Sequence, residues 1–375
     1  LQKVHEVVLF DVLCDEAYIN MFKIKYINRS IRITQLHINM IREFPIRSYN
    51  GKGIITASSK KFMFQTLVSL NMLRDQGCDL PIELFYADDE ELDEADKVCL
   101  ELTLNVTCIN IQTIPEFQHY NARNFSIKAI ALYLSSFDET LWMDADIIPL
   151  MNFEDLFKHE HYTTHHHIFF NDIFGYDRYE NAKTKSTREL YKTFDVSIQP
   201  GTPETDSGLY VIHKSKFPKE FVPTNMSLNT NPNTYQHVYG DKELYRLSME
   251  LSKSTIKYTT VDQNPCFIGK YFEKENIFCG NAVILKMNDL SVCVHMTLHS
   301  IDHINKYNGI WKDSFWTHYT TRNVECILQI VEPINQEILI KHEYDRKFMA
   351  PLNQLLQTTQ SQMYKYIHQF ENNYL

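Results

Sequence analysis

The stretch ETLWMDADIIPL, residues 139–150, sets two aspartates, Asp144 and Asp146, one residue apart inside an apolar run. Carboxylates enter such a run only where something compensates their charge. Read as the end of a strand, residues i and i+2 share a face, so the two side chains converge on one point. Oxygen ligands of this kind suit a hard divalent cation such as Mn2+ or Mg2+. Such an ion keeps open positions for phosphate oxygens and neutralises a departing diphosphate. The bland alternative has the pair capping a turn before Pro149. The flanking sequence decides between them.

Upstream, a β-branched run at Ile54–Thr56 follows glycines, and a helical pattern with Phe64, Leu67, Val68 and Leu70–Leu73 ends at Gly77. A second strand is expected over Glu83–Tyr86, after Pro81. The acidic residues 88–96 are expected to open a helix, where carboxylates suit the dipole. VTCINIQ, 106–112, reads as a third strand, and NFSIKAIALYLSSF, 124–137, as a helix that feeds the aspartate strand. Strand–helix alternation predicts an α/β fold with a mostly parallel, Rossmann-like sheet flanked by helices. Such sheets bind ligands at the carboxyl ends of their strands, which is where Asp144 and Asp146 fall. Residues 1–48 read as a helical stem or N-terminal extension, 49–330 as the catalytic domain, and 331–375 as a C-terminal helical extension.

The 375 residues are 44% hydrophobic and 13% aromatic, with a net charge of −10. The balance fits a globular chain and argues against broad nucleic-acid binding. No apolar run is long enough to span a membrane. None of the eight cysteines forms a CxxC pair, so a zinc cluster is not expected. Four N-x-S/T sequons, at Asn28, Asn105, Asn124 and Asn225, hint at the secretory pathway. Leu1 is no initiator, so a membrane anchor before it is the expectation.

Three further blocks carry polar groups. TDSGLYVIHKS, 205–215, reads as a turn and then a strand. There Gly208 lets backbone approach a ligand, and Asp206 and Ser207 can bond sugar hydroxyls. GDKELYRLSMEL, 240–251, opens a helix with Asp241 at its start, either as a plain cap or as a functional carboxylate. Arg123 and Lys128 flank the helix that feeds the aspartate strand and can neutralise diphosphate charge. CVHMTLHSIDH, 293–303, offers His295 and His299 as third metal ligands. The aromatic run IFFNDIFGYDRYEN, 168–181, is expected to line the cleft, with core packing as the competitor. The histidines at 165–167 have no assigned role.

LSSFDETLWMDADIIPL (134–150), TDSGLYVIHKSKF (205–217), GDKELY (240–245) and the block from Tyr49 to Tyr86 together resemble the fungal Golgi α-mannosyltransferases, the α-1,3-mannosyltransferase-like family. The resemblance covers about residues 48–315 and implies a GT-A-type fold, a GDP-mannose donor, Mn2+ and retention of anomeric configuration. It implies Asp144, Asp146 and His299, in preference to His295, as metal ligands. It implies Asp206 and Asp241 as catalytic residues facing the donor sugar and the reacting carbon. Arg123, Lys128, Asp144, Ser207 and Gly208 then hold the donor, and a mannose-containing oligosaccharide or glycoprotein is the acceptor. The implied setting is the Golgi lumen behind a type II anchor. An α-1,3 linkage is favoured over α-1,2. The alternatives are a UDP-sugar donor on the same fold, a phosphatase and a carbohydrate-binding module. DADIIP lacks the threonine that a phosphatase aspartate pair needs, and the intact aspartates argue against a binding module.

Overall fold

The computed structural model describes residues 44–87, 92–118, 125–175, 183–198, 203–231, 234–238, 240–262, 265–272, 277–288, 290–296 and 315–317, with scattered helical positions between 358 and 369. Most of the expected N-terminal stem and of the C-terminal extension, together with Arg123 and His299, lie outside these residues.

A six-stranded sheet forms the centre. Its strands are β1 (Lys52–Ala57), β2 (Ile82–Tyr86), β3 (Val106–Asn110), β4 (Glu139–Met143), β6 (His167–Gly175) and β7 (Pro203–His213). They lie in the order β3-β2-β1-β4-β7-β6. The first four run parallel, while β7 is antiparallel to β4 and to β6. Period two assigns the faces. Ile54, Leu84, Leu141 and Leu209 enter one core with helix α1 (Met63–Asp75) and the second sheet. Ile55, Phe85, Trp142 and Tyr210 enter another, with helix α3 (Ser126–Leu134). Strands covered on both faces read as unbroken apolar runs, as these do. Each large side chain so buried contributes about 1.5–3 kcal/mol before entropy is charged against it.

The local signals act as read in most places. Helix α1 gives way at Gly77, which adopts φ +78, a value glycine takes without strain. Helix α2 (Glu94–Leu104) starts later than its acidic run, because the Asp93 carboxylate accepts from Asp96 N–H at 3.0 Å and caps it there. Further helices among the described residues are α4 (Glu160–His165), α5 (Lys183–Thr193), α6 (Phe221–Thr230) and α7 (Leu244–Leu251). Phe169 and Phe170, expected in the cleft, are buried in the core instead.

A second sheet stands beside the first, made of β5 (Ile147–Pro149), β8 (Cys266–Phe272), β9 (Ile277–Met287), β10 (Leu290–His295) and β11 (Phe315–Thr317). Its strands lie in the order β11-β8-β9-β10-β5. The chain leaves the first sheet at Met143 and enters the second at Ile147. Asp144 and Asp146 occupy the turn between the two.

Candidate active site

The aspartates do not sit in a strand, as the i, i+2 reading supposed. A turn from β4 to β5 presents them, closed by Ile147 N–H to Asp144 O at 3.1 Å. Three other elements pin it. Asp144 N–H bonds Gly208 O at 2.8 Å, Met296 N–H bonds Asp146 O at 3.0 Å, and Ser69 Oγ of α1 bonds Ala145 O at 2.7 Å. Both carboxylates still converge, through turn geometry rather than strand alternation.

Asp144 is gripped at both oxygens. Trp142 Nε1 donates to Oδ1 at 2.6 Å and Lys128 Nζ to Oδ2 at 2.8 Å. Burial pushes its carboxyl up to about 6, against the pull of Lys128. Lys128 is buried within the first half of α3. Its ammonium also donates to Ser207 O at 3.0 Å and lies 3.8 Å from Asp241 Oδ1. Burial works against that charge, but Asp144 and Asp241 outweigh it and raise the pKa above its ordinary value. Lys128 is therefore held in its charged form within the site.

His295 ends β10, opposite Ile147 in the antiparallel pairing with β5. That register brings its ring beside the turn. Asp144, Asp146 and His295 each offer a ligand atom, and these atoms all lie within 4.8 Å of one another. His295 Nε2 is 3.6 Å from Asp146 Oδ1, and Nδ1 is 2.8 Å from Asp206 Oδ2. Burial disfavours the charged ring, yet Asp206 and Asp146 raise its pKa; burial likewise opposes the Asp206 charge, but His295 outweighs it and holds that carboxyl below the usual carboxylate range.

Asp206, Ser207 and Gly208 lie inside β7, not in the expected turn. Tyr210 pairs with Phe169 and Asp206 with the next residue, Phe170, so Ser207–Leu209 form a bulge. Bulges of this kind re-aim side chains toward a site. A Cβ on Gly208 would stand 2.5 Å from His295 Cε1, so only glycine admits the ring.

Asp241 precedes α7 and does not cap it; no side-chain cap bond closes that helix. Its Oδ1 accepts from Ser207 Oγ at 3.1 Å. Its Oδ2 is buried without a hydrogen-bond partner among the described residues. The structure thus brings together Lys128, Asp144, Asp146, Asp206, Ser207, Gly208, Asp241 and His295. Two supporting residues escaped the sequence reading. Trp142 is two residues before Asp144 on an end-of-strand face, a signal that was available. Ser69 lies on a remote helix and gave none.

Beside the turn opens a cavity of about 500 Å³, lined by residues including Ser58, Lys61, Phe62, Phe125, Lys128 and Asp146. Phe62 and Phe125 are the exposed aromatics of its rim. The cavity meets the carboxyl ends of β1 and β4, where parallel α/β sheets take their ligands.

A mostly parallel sheet that hands its chain to a second sheet through a turn of two carboxylates, beside such a cavity, defines a GT-A-type glycosyltransferase domain. The chain belongs to the Mannosyl_trans3 family, described as "Mannosyltransferase putative", whose model matches residues 51–299. It is similar to alpha-1,2-mannosyltransferase MNN21 of Candida albicans, 26% identical over 52% of this chain and 35% of the relative. It is similar also to alpha-1,3-mannosyltransferase MNT2 of Saccharomyces cerevisiae, 25% identical over 60% of this chain and 47% of the relative. It thus spans less than half the length of these curated relatives. Among solved structures, the galactosyltransferase LgtC aligns at a TM-score of 0.38 and 12% identity, over 56% of this chain and 73% of that one. A likeness that slight decides nothing about chemistry.

Proposed function

We propose that this chain transfers mannose from GDP-mannose to a mannose-containing glycan, with retention of configuration, using a divalent cation such as Mn2+. The observation that carries the reading is the convergence of Asp144, Asp146 and His295 within 4.8 Å at the edge of the cavity. Two carboxylates and an imidazole form a donor set suited to Mn2+. The second ring nitrogen of His295 is held by a carboxylate, as metal-bound imidazoles commonly are. The ion, when bound, would neutralise the diphosphate of the donor.

The chain's own groups divide the remaining work. Lys128 adds a second positive charge beside Asp144, in a buried setting where screening is weak. Asp241 presents one free oxygen beside Ser207 and Lys128. That oxygen supports a role for Asp241 in stabilising positive charge developing at the sugar carbon. Ser207 keeps Asp241 oriented through its Oγ. Exposed Phe62 and Phe125 offer flat faces for a nucleobase at the cavity rim.

The relatives are named for both α-1,2 and α-1,3 activities. The α-1,3 preference rests on the sequence blocks around residues 168–181. We place the chain in the Golgi lumen, as the resemblance implies. Among the described residues no helix is long and apolar enough to cross a membrane. The test is donor turnover with Mn2+, with GDP-mannose set against UDP-glucose and UDP-galactose and the product linkage analysed. Preferential GDP-mannose turnover is expected; preferential use of a UDP-sugar would sink the donor assignment.

A further inference from the structure

We infer that Asp206 is a positioning residue for His295, fixing the ring's orientation and tautomer so that Nε2 faces the cation site, and that it does not hold the donor sugar. This rests on the cation reading proposed above. Asp206 is buried, and both of its oxygens are engaged. Oδ1 accepts the Gly208 N–H at 2.7 Å and Oδ2 meets His295 Nδ1 at 2.8 Å. A sugar hydroxyl would have to share an oxygen that already serves one of these partners, on a carboxylate only 4% exposed. The imidazole is also confined by shape, since its Cε1 lies within 2.5 Å of where a Cβ on Gly208 would stand. The β7 bulge therefore makes one device: Gly208 supplies a flat wall and an N–H, and Asp206 supplies the acceptor.

The chemistry follows from hydrogen positions. With a carboxylate accepting at Nδ1, the proton of the neutral ring resides there and Nε2 keeps its lone pair. Nε2 is the nitrogen on the side of Asp146. Only that tautomer can donate an electron pair to an ion between Asp144 and Asp146. Second partners of metal-bound histidines typically change metal affinity by 10–100-fold when removed.

Asparagine at this position makes a discriminating probe. Gly208 N–H must still find an acceptor, so the amide oxygen faces it and the NH2 group faces His295. A donor at Nδ1 forces the proton onto Nε2, pointing N–H at the cation site. Asp206→Ala removes the guide but leaves the ring free to choose. The expected order of Mn2+ affinity is therefore wild type, then Asp206→Ala, then Asp206→Asn.

The experiment titrates Mn2+ alone, without donor, by electron paramagnetic resonance, with thermal melts of every variant. Asp206→Asn is expected to raise the Mn2+ Kd by about 10–100-fold. A histidine 15N spectrum should show the Nε2–H tautomer in that variant. An Mn2+ Kd within twofold of wild type in a folded Asp206→Asn protein overturns the inference. If that variant does not fold, Asp206→Ala carries the same criterion. Asp146→Asn separates the two layers of the argument. If wild type and Asp146→Asn titrate alike, the cation reading falls and this inference with it. If Asp146→Asn alone loses Mn2+, the cation reading stands and Asp206 does not position His295.

Discussion

Helix α3 carries a buried lysine contact at each end, and the two are chemically unlike. Near its start, its own Lys128 meets Asp144 and Asp241, carboxylates from two other elements. Near its end, Lys214, which follows β7, donates to Leu132 O at 3.2 Å and Ser135 O at 3.1 Å. Its ammonium lies 3.5 Å from the centre of the Tyr49 ring. Both lysines are buried to the same degree, 5% and 3% exposed, so burial does not tell them apart. Partners do. Lys128 is held charged, whereas burial pushes Lys214 down to about 7, with Glu83 and Asp138 only partly opposing. A cation that closes a helix end needs only carbonyls. A cation that gathers carboxylates beside an open cavity is built to meet more charge. The carboxyl edge of the sheet is thus the chemical end of the molecule and the opposite edge a structural one.

The comparison breaks if the two ends respond alike to mutation. The largest effects belong at the Lys128 end. Lys128→Met leaves Asp144 and Asp241 without their cation, and Asp146→Asn removes a metal-binding charge. Each is expected to lower kcat/KM by about 10³-fold or more. Rates paired with melting curves check this, and a folded Asp146→Asn enzyme near wild-type activity would refute the metal role. Next comes Asp241→Asn. Because Asp241 makes no cap bond, its loss should act on kcat, by about 10²–10³-fold, while GDP binding persists. A drop confined to the melting temperature would return Asp241 to a structural role.

Lys214→Met should leave kcat within about twofold, since the change lies away from the site, and should act through stability alone. The sign runs opposite to the usual lysine. The folded pKa is about 7 against 10.5 unfolded, so the unfolded state binds more protons between those values. Wild-type stability should therefore rise with pH from about 7 toward 10.5, by on the order of 2 kcal/mol between pH 7 and 9. Denaturant titrations of both proteins at the two pH values measure it; parallel pH profiles would show that Lys214 stays charged.

The smallest effect concerns glycosylation. Asn225 lies fully buried in α6, and its Nδ2 donates to Ser248 Oγ at 3.2 Å. That sequon is closed to a glycan in the folded protein, which weakens the compartment argument drawn from four of them. Asn105 is exposed just after α2, with φ 52. Peptide mapping of secreted protein should find a glycan at Asn105 and none at Asn225. A modified Asn225 in folded material would contradict the burial of α6.

By itself the sequence determined the parallel strands, the helices between them and the place of Asp144 and Asp146 at the carboxyl edge. Those features follow from local periodicity and from single breakers such as Gly77, which act wherever the chain goes. It determined the family too, through ordered blocks. The tertiary structure decided the rest. The meeting of His295 with Asp206 joins residues 89 positions apart and depends on the register of β10 against β5. A slip of one residue would turn that histidine to the other face. Lys128 reads equally well as a solvated surface residue until packing buries it. Asp241 reads as a helix cap until the loop before α7 turns its carboxylate toward Ser207 instead. Asn225 reads as a glycan acceptor until α6 is enclosed. In each case the residue type was visible, but its charge state, partner or exposure is set by neighbours that only the fold supplies, because burial and pairing are long-range while propensity is local.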